Sequence, residues 1–374
     1  MEGTMGKRFR PVDAKILEAV ARLGPRNFMT VAREVGIQRE SLRYRLNRMQ
    51  SDPSIFLRCH STTYHTNLGL RKAVSVLTAT PGQESLLFEC LKVNGFWIYL
   101  SRFYGKGEGC LATYTVPFER SEEFEAFIQR IKELGVAETS TVYWSTCFQP
   151  GKLTSAWFDE ETGEWSFHWD KWIEQVQNES SNLPFTLKEP ERFSNYADHT
   201  DVIILKELEK DATKSIKDMA DMLGMSPQIT LYHYRKHVIG RKLLEDFEIF
   251  AYPNDSARCD MYFFFFSFTS YETMAKFANS LLDKHFVRYV GKILNENKIL
   301  SEMLLPRDEF RRFIDKLSLL ARMNLIKDYE YVVMDLKTGQ RQTFPYEFFK
   351  DEKWTYDHNQ HIANLQALVQ NSHE

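Results

Sequence analysis

Asp13, Gly36 and Tyr44 return as Asp201, Gly224 and Tyr232, each 188 residues further on (201 − 13, 224 − 36 and 232 − 44). The echo continues downstream with small drift. EEFEAFIQRI from Glu122 answers DEFRRFIDKL from Asp308 (308 − 122 = 186), and WSFHWDKWIEQV from Trp165 answers WTYDHNQHIANL from Trp354 (354 − 165 = 189). Self-similarity at so long a spacing limits the fold to one unit used twice, and two copies are too few for a solenoid. The chain reads as a tandem fusion of a single two-domain unit.

Each copy opens on a helix-turn-helix pattern. Residues 30–49, TVAREVGIQRESLRYRLNRM, and 217–238, KDMADMLGMSPQITLYHYRKHV, read as a short helix, a tight turn and a second helix. The turn falls at Gly36 or Gly224, because only glycine enters positive φ without a Cβ clash. Val31, Ala32, Val35 and Ile37, and Met219, Ala220, Leu223 and Met225, flank the glycines at helical spacing. A first helix precedes each, over 12–23 and 201–210, and Ser215-x-x-Asp218 and Ser226-Pro227 supply N-terminal caps in the second copy.

Beyond the helices the pattern turns to strands. Residues 55–65 read as a wing, and 70–79, 83–92, 96–104, 110–116, 121–134 and 136–148 read as βαββαβ, the ferredoxin-like order. The second copy gives the same order over 261–268, 271–284, 287–294, 299–305, 308–322 and 325–336. Aromatic tails follow each, the first predicted to form a hairpin and helix packed back on its own sheet. The expected class is therefore α+β. Its divisions are a winged helix-turn-helix (1–66), a ferredoxin-like domain (67–150), an aromatic extension (151–178), a polar linker (179–197), and then 198–257, 258–338 and a C-terminal extension (339–374).

A length of 374 residues, 43% hydrophobic and 26% charged, suits a soluble protein of several domains. No apolar run approaches the roughly 20 residues of a membrane span, and FFFFSF at 263–268 reads as a buried strand. The first residues, MEGTMGKRFRPVD, lack the apolar core of a signal peptide, and the five cysteines are scattered without a C-x-x-C, so a reducing cytoplasmic location is expected. A net charge of −3 does not favour nucleic acid in bulk, so any such argument rests on local charge.

Locally, arginines crowd the first recognition helix. Leu42, Leu46 and Met49 face the core at i, i+4 and i+7, leaving Gln38, Arg39, Ser41 and Arg45 toward base edges and Arg43 and Arg48 toward phosphate. In the second copy Gln228, Thr230 and His233 are the candidate base readers, Arg235, Lys236 and Lys242 the candidate phosphate contacts, and Ser226 at the helix start a further DNA-binding candidate. Tyr44 and Tyr232 either touch the backbone or pack. Double-stranded DNA is the partner these residues predict. The unlike sequences QRESLRYRL and SPQITLYHY suit an asymmetric site.

DVIILKELEKDATKSIKDMADMLGMSPQIT in the second copy, and FYGKGEGCLATYTVP and FEAFIQRIKELGVAETSTVYW in the first, resemble the Lrp/AsnC (feast/famine) transcriptional regulators. The resemblance implies a winged helix-turn-helix joined to a ferredoxin-like effector domain that pairs with a second copy, here a pseudo-dimer within the chain or a homodimer. It also implies an amino-acid effector at Gly105, Gly107 and Glu108, with Thr139 and Thr141 nearby. Glu108 stands where the family usually has Asp, and LNENKILSEM in the second copy lacks the loop glycines. The expected function is a sequence-specific DNA-binding regulator without enzymatic activity or cofactor. Two alternatives accompany it: a scaffold for protein interactions, and an enzyme like the siroheme decarboxylases, which resemble the same family in fold but carry a paired His/Tyr segment not found here. Neither Cys59-His60 with His65 nor His358-x-x-His361 matches a known zinc spacing, and no metal is expected.

Overall fold

The computed structural model describes residues 8–105 and 107–372. The first seven residues, on which the absence of a signal peptide was read, and Lys106 of the first sheet hairpin lie outside them. The described chain is mixed α+β.

The first helical domain holds α1 (Pro11–Leu23), α2 (Phe28–Val35) and α3 (Arg39–Ser51). Pro11 at the first turn starts α1, and Gly36 ends α2 at φ +75°. Leu42, Leu46 and Met49 of α3 are buried. Strand β1 (Arg58–Thr63) leaves this domain for β2 (Leu70–Ala79), α4 (Glu84–Cys90), β3 (Trp97–Tyr104), β4 (Glu108–Pro117), α5 (Ser121–Glu133) and β5 (Ala137–Ser145). A short β6 (Gln149–Pro150), a two-residue hairpin β7 (Phe158–Asp159) and β8 (Glu164–Trp165), and α6 (Trp169–Asn178) complete the first half.

The same succession recurs. Helices α7 (His199–Lys210), α8 (Ile216–Leu223) and α9 (Pro227–Tyr232) are followed by a π-helical segment at His233–Ile239 and by β9 (Leu244–Phe250). Asp198 and Asp201, and Ser215 and Asp218, close reciprocal capping boxes on α7 and α8. Then come β10 (Cys259–Ser267), α10 (Tyr271–Leu281), β11 (Val287–Lys292), β12 (Lys298–Pro306), α11 (Arg307–Arg322) and β13 (Asp328–Met334). The chain ends in β14 (Gln340–Arg341), β15 (Phe349–Lys350), β16 (Lys353–Trp354) and α12 (His358–Asn371).

The two ferredoxin-like sheets are one. Strand order runs β5-β2-β4-β3-β13-β10-β12-β11-β6, joined at the centre by Tyr104 against Val333 and Phe103 against Met334. The free edges meet as well, through the Ser145–Ile293 bridge and Thr146 N–H to the Lys292 carbonyl at 2.8 Å. The sheet thus curls into a barrel whose ends meet at this short seam. Alternation along β10 explains the run of phenylalanines: Phe264 and Phe266 pack on α10 and α11, while Phe263 and Phe265 join Val74, Leu111 and Leu300 inside the barrel. With both faces buried, the strand has no polar side to show.

Three expectations need correction. The strand predicted over 136–148 ends at Ser145, and Gln149 and Pro150 cross to pair with Val290 and Tyr289 of β11. The linker over 179–197 is not free: Leu183 and Leu187 enter the core beneath α10 and α11, and Asn195 bridges Leu68. The aromatic tails are exchanged. Helix α6 buries Trp169 and Trp172 against α10 and α11 of the second half, with Trp172 Nε1 donating to Ser280 Oγ at 3.1 Å. Helix α12 buries Leu365 and Val369 against α4 and α5 of the first. Each helical layer offers an apolar groove of the same kind, so a tail can satisfy either, and the crossed arrangement ties the halves together.

Strands β1 and β9 pair antiparallel from Arg58–Phe250 to Thr63–Leu244, forming a ribbon that links the two helical domains over the barrel. No helix among the described residues is long and apolar enough to cross a membrane.

Candidate active site at the mouth of the barrel

Between the β1–β9 ribbon and the barrel lies a cavity of about 860 Å³. The ribbon contributes Arg58, His60, Ser61, Glu248 and Phe250, and the barrel strands contribute Lys72, Tyr99, Thr113, Met261, Tyr289 and Glu302. The segment after β13, from Leu336 to Glu347, and the end of α7 at Glu209 complete the lining. The volume lies toward the upper end of the roughly 300–1,000 Å³ usual for small-molecule sites.

Its charges divide into two groups. The first is internally neutralised. Arg288 reaches Glu248 at 2.6 Å and Glu302 at 3.4 Å, and Arg341 reaches the second oxygen of Glu248 at 3.1 Å. Burial opposes ionisation of Glu248, but Arg341 and Arg288 outweigh it and hold the carboxyl well below its usual range. Glu302 lacks that double pairing; burial raises it, and it accepts a hydrogen bond from Tyr289 Oη at 3.3 Å. Glu209 is likewise raised by burial and accepts from Thr63 Oγ1 at 2.5 Å and the Phe344 amide at 3.0 Å.

The second group is cationic and makes no direct ion pair among the described residues, although the buried Glu245 carboxyl lies within electrostatic reach of Lys72. Lys72 is buried at 6% exposure, its ammonium 4.0 Å from the centre of the Phe148 ring. It makes no ion pair among the described residues. The exposed Arg58 stacks on Phe56 at 4.3 Å and donates to the Leu57 carbonyl at 2.8 Å, and it too makes no ion pair among the described residues. A buried cation without a contacting counter-ion is costly, and an anionic ligand in the cavity would relieve that cost at Lys72.

Two histidines stand beside these cations. His60 donates from Nδ1 to the Glu209 carbonyl at 2.9 Å, which leaves Nε2 as the acceptor. Burial, then Arg341, lower its pKa. His65 is fully enclosed, and burial followed by the charge of Lys72 pushes its pKa well below 6.5. Both His65 nitrogens, Ser61 Oγ and Thr113 Oγ1 are buried and have no hydrogen-bond partner among the described protein groups. Buried polar atoms are seldom left so, and four of them on residues that line one cavity are suited to receive a polar ligand.

The residues expected to bind an effector are elsewhere. None of Gly105, Gly107, Glu108, Thr139 and Thr141 lines this cavity. Glu108 is exposed and pairs with Arg102 at 3.2 Å, and Thr139 Oγ1 donates to Thr78 Oγ1 at 2.9 Å. On the first recognition helix Gln38, Arg39, Ser41, Arg43 and Tyr44 are exposed. Arg45 and Arg48 instead hold the buried Asp13 carboxylate at 2.9 and 2.7 Å. In the second domain Ser226, Gln228, Tyr232, Arg235 and Lys236 are exposed, Thr230 is buried, and His233 lies 2.8 Å from Asp201. Sequence reasoning noticed His60 and His65 only as metal candidates. Lys72, Arg288 and Arg341 carried no local signal, because strands far apart in the chain bring them together.

Fold and cavity together define a mixed α+β chain in which two helical domains and the β1–β9 ribbon stand over the curled sheet, with a cation-lined site between ribbon and sheet. No protein-family model matches the sequence, and no curated protein sequence does. Among solved structures, the siroheme decarboxylase NirDL is similar over 97% of this chain and 100% of its own, with 12% identity and a TM-score of 0.50. NirDL in complex with an iron-uroporphyrin III analogue is similar over 96% and 99%, also with a TM-score of 0.50. The leucine response regulatory protein of Mycobacterium tuberculosis covers 35% of the chain, with 16% identity and a TM-score of 0.26.

This corrects the functional expectation. The fold of an enzyme, the siroheme decarboxylase NirDL, follows this chain from end to end. The reading as a DNA-binding regulator without enzymatic activity does not stand.

Proposed function

We propose that this chain is an enzyme that removes side-chain carboxylates, as CO2, from a tetrapyrrole bound in the cavity at the barrel mouth. The observation that carries the reading is Lys72, buried without a direct ion pair, beside His65, whose ring nitrogens have no hydrogen-bond partner among the described residues, in a ligand-sized cavity of a chain that shares its fold with NirDL from end to end. A doubled Lrp/AsnC-like unit belongs to the same reading: the first half contributes Lys72, His60 and His65, and the second contributes Arg288, Arg341 and Tyr289.

The step is redox-neutral. The bond between the side-chain methylene and its carboxylate breaks and CO2 leaves. The electron pair stays on the methylene carbon, where the adjoining conjugated ring delocalises it, and a proton completes a methyl group. Lys72 and Arg58 bind carboxylates. Arg288 and Arg341, already balanced by Glu248 and Glu302, orient the substrate without a net excess of charge. His65 serves as proton donor: a carboxylate arriving beside it offsets its burial and raises its pKa, so the ring takes up a proton on binding and releases it to the carbanion. His60 and Tyr99, from separate strands, face the same space, so a contiguous His/Tyr segment is not needed to assemble imidazole and phenol groups here.

Equilibrium binding tests the reading. The full chain is titrated, with the Soret band as readout, against iron uroporphyrin III and against an iron porphyrin bearing only alkyl groups. Preference for the carboxylated ring, lost in Lys72→Met, is expected; equal affinity for both rings contradicts carboxylate recognition.

A further inference from the structure

We propose that the second helix-turn-helix domain holds one divalent transition-metal ion of the zinc class, bound by Asp198, Asp201, His233 and His237. One donor atom from each residue lies within 4.8 Å of the other three. His233 Nδ1 is 2.8 Å from Asp201 Oδ1 and 3.6 Å from Asp198 Oδ2. His237 Nδ1 is 3.1 Å from Asp201 Oδ2 and 3.4 Å from Asp198 Oδ2. A tetrahedral zinc with bonds of about 2.1 Å separates its ligand atoms by about 3.4 Å, so the four donors stand close to the spacing required.

The first domain provides an internal comparison. There the N-cap position of the first helix is Arg10, and Asp13 is paired by Arg45 and Arg48. In the second, the N-cap is Asp198, and the two arginines give way to His233 and His237. Three charge-bearing positions have thus changed together, from side chains that cannot ligate to side chains that do. The backbone changes with them. Arg45 and Arg48 are three apart on an α-helix, whereas His233 and His237 are four apart where the helix widens to π, with Gly240 N–H bonded to the Arg235 carbonyl at 3.1 Å. The extra residue keeps both imidazoles on one face, and such π segments frequently mark functional sites.

Charge supports the assignment. Asp201 is fully buried, and with neutral imidazoles the cluster carries two negative charges. The other cation against it is Arg241, 3.7 Å from Asp201 Oδ2 and hydrogen-bonded to the Tyr196 carbonyl at 2.7 Å. A divalent ion balances the two carboxylates and replaces the role that Arg45 and Arg48 fill in the first domain. It fastens the third helix to the first, independently of the cavity chemistry.

The test uses the full chain, stripped with EDTA and titrated with ZnCl2 by calorimetry and with CoCl2 by visible absorbance. Expected are zinc binding that raises the melting temperature, and intense cobalt d–d bands of tetrahedral type. His233→Gln with His237→Gln should lose one equivalent of zinc and the cobalt bands. Asp198→Asn, which keeps a good N-cap, should fold normally and bind zinc more weakly. Absence of zinc binding by the wild type, or the same stoichiometry and cobalt spectrum in the histidine double variant, overturns the site.

Discussion

Arg45 and His233, 188 positions apart (233 − 45), reach equivalent carboxylates: Arg45 Nη1 lies 2.9 Å from Asp13 Oδ1, and His233 Nδ1 lies 2.8 Å from Asp201 Oδ1. Both aspartates are fully buried, each three residues beyond the N-cap of a first helix. The chain has kept the anion and changed its partner. In the first domain two of the arginines expected to meet DNA, Arg45 and Arg48, hold a buried aspartate instead.

That arrangement predicts a stability cost. Replacing both Arg45 and Arg48 with Met leaves Asp13 buried and uncompensated. The expected loss is about 3–5 kcal/mol, read from urea denaturation. A loss near zero would mean that the arginines project to solvent.

The exchanged tails predict an effect at a distance in sequence. Trp172→Ala removes a side chain that is 1% exposed in the second half's core, at an expected cost of about 3–5 kcal/mol. Hydrogen exchange should rise in α10 and α11 and stay unchanged in α4 and α5. The reverse pattern would place the tail on its own half.

His285 predicts a pH dependence. Its ring is buried, and burial, with Lys284 and His168 adding to it, lowers its pKa from 6.5 to about 3. Above pH 6.5 the ring is neutral in both folded and unfolded chains. Below it the unfolded chain takes up a proton that the folded chain refuses until about pH 3. Stability is therefore lost as pH falls through this window, by up to about 1.4 kcal/mol per pH unit from this group. His285→Phe should flatten the slope of unfolding free energy against pH between 6 and 4, roughly the middle of the window. An unchanged slope would contradict burial of the neutral ring.

Lys72 predicts a separation of binding from folding. Lys72→Met keeps the stem that packs near Phe148 and removes the charge, so the melting temperature should stay level or rise. Affinity for carboxylated tetrapyrroles should fall by about tenfold or more, the loss of one charge-assisted contact of about 1.5–3 kcal/mol. A fall in melting temperature with unchanged affinity would make Lys72 structural.

Much of the fold was legible because its signals are local. Gly36 and Gly224 mark their turns by positive φ, Ser215 and Asp218 announce their cap, and the βαββαβ order follows from alternation and turns. What local pattern does not carry is partner choice. The tails were recognisable as apolar helices, but nothing in Trp169 or Leu365 says which helical layer each covers. Strand β9 carries little strand signal, although Phe247-Glu248-Ile249 alternates, because charged Glu245, Asp246 and Glu248 interrupt it. The cavity was illegible for a related reason. Lys72 and Arg288 read as ordinary strand residues, His60 only as a metal candidate and Arg341 as part of the C-terminal extension, and only the curling of the sheet beneath the ribbon brings them to one space. The basic crowd on α3 misled, since half-buried Arg45 and Arg48 neutralise an aspartate that periodicity alone placed at a helix start.

The central claim is carboxylate removal in this cavity, and turnover tests it most directly. The full chain is incubated without oxygen with siroheme labelled with carbon-13 at its acetate carboxyl groups, and the gas phase and the tetrapyrrole are analysed by mass spectrometry. The account predicts labelled CO2 in step with a tetrapyrrole lighter by the mass of CO2 for each group lost, both abolished in His65→Asn and Lys72→Met. Siroheme bound by the wild type and recovered with every carboxylate intact would contradict it.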